Sequence, residues 1–157
     1  MNRRLPRLAG VLVGAGLLTT ALAGCAGTVA VDAAPDAANA ACADVSVALP
    51  DTVAGQERRE TNAQATAAWG DPAAVILRCG VQPLGPTTLP CQTVDGIDWV
   101  IDDSDAPRYL LTTYGREPAV EVYLDTELVA DSTVRADLGA AIERIPATGG
   151  CTDETVG

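Results

Sequence analysis

The chain predicts an α+β domain: an antiparallel sheet of four or five strands with two helices on one face, stapled by two disulfides. Three observations carry this. Short, branched apolar runs are separated by turn dipeptides, as in a meander of strands. One long segment near the end repeats its apolar residues at helical spacing. Four cysteines remain when a fifth, near the N-terminus, is set aside.

Taken in order, residues 26–41 (AGTVAVDAAPDAANAA) are small and lack apolar periodicity, and they read as a flexible tether. Sixteen such residues span roughly 20–24 Å root-mean-square. Structure is expected from Cys42. Val45 and Leu49, four apart, predict a short helix over 43–49 that Pro50 closes. Residues 56–62 are polar with weak strand character, and 66–69 lead into the Gly70-Asp71-Pro72 turn. Residues 73–79 (AAVILRC) are the strongest buried-strand candidate. Asp95-Gly96 is a hairpin dipeptide, and a strand over 97–101 follows it. Further strands are expected over 109–114 and 119–124, around Gly115-Arg116-Glu117-Pro118. In the second, Val120, Val122 and Leu124 alternate with Glu121 and Tyr123, so one face should be wet. Asp131 or Ser132 can cap a last helix running to about Ile145, with Val134, Leu138, Ala141, Ile142 and Ile145 as its apolar stripe. Pro146 and Gly149-Gly150 stop it.

The N-terminus has its own logic. Arg3, Arg4 and Arg7 precede an uncharged apolar run, 8–23, of sixteen residues. A membrane span needs about 20, so the run reads as a cleaved export signal. It closes on Leu22-Ala23-Gly24-Cys25: one aliphatic residue, two small ones, then Cys. The stretch resembles the cleavage box of bacterial lipoproteins. That resemblance implies a diacylglyceryl group on the Cys25 sulfur and cleavage before Cys25. The organisation expected is a signal peptide (1–24), a lipidated Cys25 with its tether (25–41) and a single domain (42–157). The protein would sit at the outer face of the cytoplasmic membrane, held by lipid. Two acyl chains anchor stably where one does not.

Charge narrows the partners. Three of the ten basic residues fall in the leader, leaving seven against twenty-one acidic residues, a net charge of −14 for residues 25–157. Such a surface is repelled by nucleic acid and by anionic headgroups, so no nucleic-acid partner is expected. Cationic peptides and divalent ions are the electrostatically favoured partners, and an envelope protein is a candidate. The chain has no His, which excludes Ser-His-Asp and Cys-His catalysis and removes the commonest zinc ligand. Phe is absent too, so Trp69 and Trp99 must be the large packing anchors. There is no phosphate loop, dinucleotide fingerprint or nucleophile elbow, and no cofactor is expected.

Cys42, Cys79, Cys91 and Cys151 can pair in three ways. The short loop from 79 to 91, which contains Pro83, Gly85, Pro86 and Pro90, favours Cys79–Cys91, leaving Cys42–Cys151 to tie the domain's two ends. In the chain-entropy view the short loop contributes about 3 kcal/mol and a loop of about 100 residues nearly 5.

Three segments carry a second resemblance: Trp69-Gly70-Asp71-Pro72 running into 75–81, Val94-Asp95-Gly96-Ile97-Asp98-Trp99, and the stretch 113–122. Over 42–151 they resemble an uncharacterised actinobacterial family of small exported lipoproteins, a domain of unknown function. The resemblance implies a place in the cell envelope and supplies no activity, substrate or catalytic residue.

The remaining candidates are local. Asp95, Asp98, Asp102, Asp103 and Asp105 form the densest acidic run; Asp102, Asp103 and Asp105 could offer oxygen ligands to calcium, although the EF-hand pattern is missing. The competing expectation is a solvated loop. Asp98 and Glu121, with Trp99 as a stacking platform, could form the two-carboxylate site of a glycan or peptide hydrolase. In a chain this acidic such pairs arise freely, so a non-enzymatic binding or accessory role is the leading expectation. Arg78 and Arg116 could bind a carboxylate or phosphate; ion pairing within the domain is the simpler expectation for both.

Overall fold

The computed structural model describes residues 27–151. Helix α1 (Ala40–Ala48) is followed by strands β1 (Thr52–Val53), β2 (Gln56–Arg59), β3 (Thr66–Trp69), β4 (Val75–Val81), β5 (Cys91–Val94), β6 (Ile97–Asp105), β7 (Arg108–Thr113) and β8 (Ala119–Asp125), then helix α2 (Asp131–Ile142). The class is as expected, but the sheet has eight strands rather than four or five. Its order is β1-β2-β3-β4-β8-β7-β6-β5, every pair antiparallel. Two four-stranded meanders therefore meet at β4 and β8. The strands that pattern did not indicate are β1, β3 and β5. β1 has two residues, β3 is buried at all four positions and β5 is largely solvent-facing on both sides, so none carries a run of apolar alternation, whereas β2 lies within the weakly strand-like 56–62 stretch.

Turn chemistry sets the registers. Asp95 and Gly96 both take positive φ (48° and 78°), which closes the tight Val94–Ile97 hairpin. Ala54-Gly55 does the same between β1 and β2, with φ of 48° and 74°. Alanine is a poor choice there. Its N–H donates to Asp137 Oδ2 of α2 at 2.8 Å, so the turn is also held by the helix.

One sheet face carries the core. Trp69, Val75, Leu77 and Cys79 alternate inward with Trp99, Leu111, Val120, Val122 and Leu124. Val45 of α1 and Val134, Leu138 and Ile142 of α2 join the same cluster, so both helices pack on that face. The two tryptophans are fully buried, and Trp69 Nε1 donates to Pro50 O at 3.1 Å. The helices differ from expectation at their ends. α1 starts three residues early because Asn39 caps it, accepting from Ala41 N at 3.0 Å. In α2 neither Asp131 nor Ser132 is the cap: Ala130 stands there, and Asp131 instead pairs with Arg135 at 2.6 Å. The helix stops at Ile142, while Ile145 stays buried beyond its end.

The disulfides are Cys42–Cys79 and Cys91–Cys151, not the expected Cys79–Cys91 and Cys42–Cys151. Topology decides this. The 82–90 connection carries the chain from central β4 to the far edge strand β5, past β8, β7 and β6. Four strand spacings amount to about 19 Å. A disulfide needs Cα atoms within about 7 Å, and the observed pairs have them 5.5 and 5.9 Å apart. The first bond pins α1 to β4 and the second pins the end of the described chain to β5.

Part of the stretch expected as a tether makes contacts with the domain. Residues 27–39 lie along the domain. Val29 N donates to Glu60 O at 2.8 Å and forms a parallel bridge to Thr61, and Val31 N donates to Asn62 Oδ1 at 2.7 Å. Asp36 N then reaches Gly80 O at 2.9 Å, and Ala34 packs against Val81 and Ala119. Gly80 has φ of 101°, and a Cβ there would collide with the backbone of Asp36 and Ala37. The segment thus crosses the sheet at a residue that has no side chain to obstruct it. Small alanines, which suggested a featureless linker, are what permits this close approach. Cys25 and the leader 1–24 lie outside the described residues.

Candidate functional site

The sheet face opposite the helices holds the candidate site. Register places Thr66, Arg78, Glu121, Thr112 and Val100 in one cross-strand row. The next row is Arg59, Ala68, Ile76, Tyr123, Leu110 and Asp102. Beyond it Asp125, Arg108 and Asp105 are paired across β8, β7 and β6.

The first row is covered. Arg78 pairs with Glu121, which is only 8% exposed, and Arg78 Nη1 reaches Asp32 O of the crossing segment at 3.4 Å. Glu121 therefore does not stand on a wet face, as alternation alone had indicated. Val100 and Thr112 are buried as well.

The second and third rows stay open and form a groove of about 480 Å³. That is within the usual range for ligand clefts. Ile76, Leu110, Tyr123 and Leu128 supply its apolar surface; Tyr123 and Leu128 are 41% and 50% exposed. Asp102, Asp105 and Asp125 rim it with Arg108, and the Pro72–Ala74 turn closes one side. Arg108 Nε donates to Asp105 Oδ2 at 3.0 Å. Its guanidinium is held above its ordinary pKa by the hydrogen bond and charge of Asp105, with a further contribution from Asp125. Asp102 is held below the ordinary carboxylate value, first by the Ser104 hydroxyl and then by the Ser104 N–H, which lies 3.0 Å from Oδ1. The groove is thus an apolar floor with three carboxylates and one paired cation at its rim.

The expected site residues fall as follows. Asp102, Asp103 and Asp105 lie on β6 itself, not in a flanking loop, and strand alternation splits them. Asp102 and Asp105 line the groove, whereas Asp103 faces a separate hollow beside Ile101 and Val129. A bulge between Asp102 and Asp105 puts those two on one side. Among the described residues, no three His, Cys, Asp or Glu groups gather closely enough to hold a metal ion. Asp98 and Glu121 each hold structure together. Asp98 accepts from Thr93 Oγ1 at 2.5 Å and from Cys151 N at 2.8 Å, and Glu121 holds Arg78. Trp99 is buried in the core and has no face for a sugar.

Arg78 follows the ion-pair expectation. Arg116 does not: its guanidinium donates to the carbonyls of Ile145 and, at 3.3 Å, Gly96. Burial lowers its pKa, against the raising influence of Glu143 and Asp98. It ties the chain beyond α2 to the β5–β6 hairpin through these two carbonyls. The groove's apolar floor went unnoticed in the sequence, although a signal was present. Ile76 beside Val75 and Leu77, and Leu110 beside Leu111, make strands apolar on both faces, so the outer face had to be partly apolar.

Fold and site together define a two-disulfide α+β domain with one face packed by helices and the other partly open. The chain belongs to a protein family of unknown function, DUF3515, whose model matches residues 5–149. No curated protein and no solved structure matches it. No helix among the described residues is long and apolar enough to cross a membrane.

Proposed function

We propose that this protein is an exported lipoprotein, anchored through Cys25 at the outer face of the cytoplasmic membrane, that works as a non-enzymatic binding or accessory component of the cell envelope. The observation that carries the binding role is the open groove on the outer sheet face: exposed Tyr123 and Leu128 on an apolar floor, with acidic groups around it. An apolar concavity with a few polar groups at its edge is the usual form of a binding surface. Two disulfides support an oxidising compartment, which agrees with export.

The crossing segment supports an anchored geometry. Arg59 Nη2 donates to Gly27 O at 2.8 Å, while its Nη1 donates to Gly70 O at 3.0 Å and pairs with Asp71 at 2.9 Å. Gly27 is thereby fixed next to the Pro72–Ala74 wall of the groove. Cys25 is two residues earlier, about 7 Å of extended chain. A lipid on Cys25 would hold the groove's edge close to the bilayer and present it to membrane-associated partners.

Two measurements test the reading. Cys25→Ala should abolish the lipid mass increment and shift the protein out of the membrane fraction; an unchanged mass and fraction overturns the anchor. Crosslinking in native membranes followed by mass spectrometry should recover one reproducible envelope partner, and recovery of the chain alone overturns the accessory role.

A further inference from the structure

The groove is specific enough to name what it takes. We propose that it receives a basic, amphipathic peptide segment of a membrane-associated partner protein, seating an aliphatic or aromatic side chain on the floor and Lys or Arg groups against the rim. The inference rests on the binding role above and deepens it. The argument is charge complementarity over an apolar floor. Three carboxylates face one guanidinium at the rim, and that guanidinium is already committed to Asp105.

Asp102 and Asp125 are the rim charges without an arginine hydrogen bond of their own. Each holds a local turn, Asp102 through the Ser104 hydroxyl and the Ser104 N–H (3.0 Å to Oδ1) and Asp125 through Glu127 N at 2.9 Å to Oδ1, and their charge is not neutralised by an arginine bond. Elsewhere, Arg59, Arg78, Arg116 and Arg135 all donate inside the domain. The protein therefore has little positive charge with which to attract an anion, and its own field repels acidic ligands. Tyr123, at the centre of its row, adds a ring face on which a cation can rest. Floor and rim lie within one cross-strand row of each other, so neighbouring residues of one extended segment reach both.

The test uses the full chain extracted from membranes and placed in zwitterionic nanodiscs, with empty nanodiscs as reference. The probes are three peptides of about ten residues: a Leu/Lys repeat, its Leu/Glu twin and a Ser/Lys twin. The Leu/Lys peptide should bind, and both twins should bind at least about tenfold more weakly, since each lacks one of the two complementary features. An Asp102→Asn, Asp125→Asn double variant keeps an amide oxygen for each turn N–H and loses the negative charge together with one acceptor oxygen at each position. It should weaken Leu/Lys binding by about fivefold, and this loss should shrink at high salt. Tyr123→Ser should weaken it separately. Equal binding of the Leu/Lys and Leu/Glu peptides, or an unaltered affinity in the double variant, overturns the assignment. If the double variant still crosslinks the same membrane partner as the unmodified chain, the binding role stands and the groove is not its seat; if the unmodified chain captures none, the role itself falls.

Discussion

The two ends of the outer sheet face differ in what lies over them. At one end the segment 27–39 crosses the strands, Arg78 and Glu121 are paired beneath it, and the Cys42–Cys79 bond fixes the adjoining helix on the other side. At the other end only short turns surround Ile76, Tyr123 and Leu110. The strands are the same β4, β7 and β8 in both places, so strand composition does not make the difference. A chain crossing makes it. Where the chain returns over the sheet, charges are desolvated and must be paired. Where it does not, carboxylates stay hydrated and an apolar floor is left for another molecule.

The contrast can be broken most severely at the covered end. Replacing Cys42 and Cys79 together by Ser frees a loop whose ends are 37 residues apart, and in the chain-entropy model that costs about 4 kcal/mol. Urea unfolding should show this loss, and a loss under about 1 kcal/mol would show that the crossing holds without its staple. The next largest effect is expected from Glu121→Ala, which leaves Arg78 half-covered without its anion and should cost about 3 kcal/mol. Tyr123→Ala, two residues along the same strand, should cost less than about 1 kcal/mol because the ring is 41% exposed. The two unfolding free energies, measured side by side, sharpen the comparison; equal losses would erase it.

The smallest effect is a pH dependence at the open end. The folded-state pKa of Asp102 is depressed, so its turn bond to Ser104 is fully present above the ordinary Asp value and is lost as pH falls through the lower folded value. A carboxyl-carbon NMR titration should place Asp102 below an unstructured Asp. A midpoint at or above that value would mean that the Ser104 turn is not formed in solution.

Much of this arrangement was written locally. Asp95-Gly96 specified its hairpin, the Val134–Leu138–Ile142 stripe specified α2, and the alternation in β8 specified which residues enter the core. The groove was only half legible: apolar neighbours such as Val75-Ile76 announced two apolar faces but not which outer patch would be left open. Cys79–Cys91 looked close because proximity along the chain stood in for proximity in space, and the crossover from β4 to β5 separates the two.

By itself, then, the sequence determined the α+β class, the oxidised cysteines, the acidic surface without His and the identity of the core, because each follows from composition or from a period of two to four residues. Tertiary structure alone decided the strand order, the disulfide partners, the burial of Glu121 and the opening of the groove. These depend on where one distant segment crosses another, and a crossing at Gly80 is set by the packing of residues more than forty positions apart rather than by any local preference.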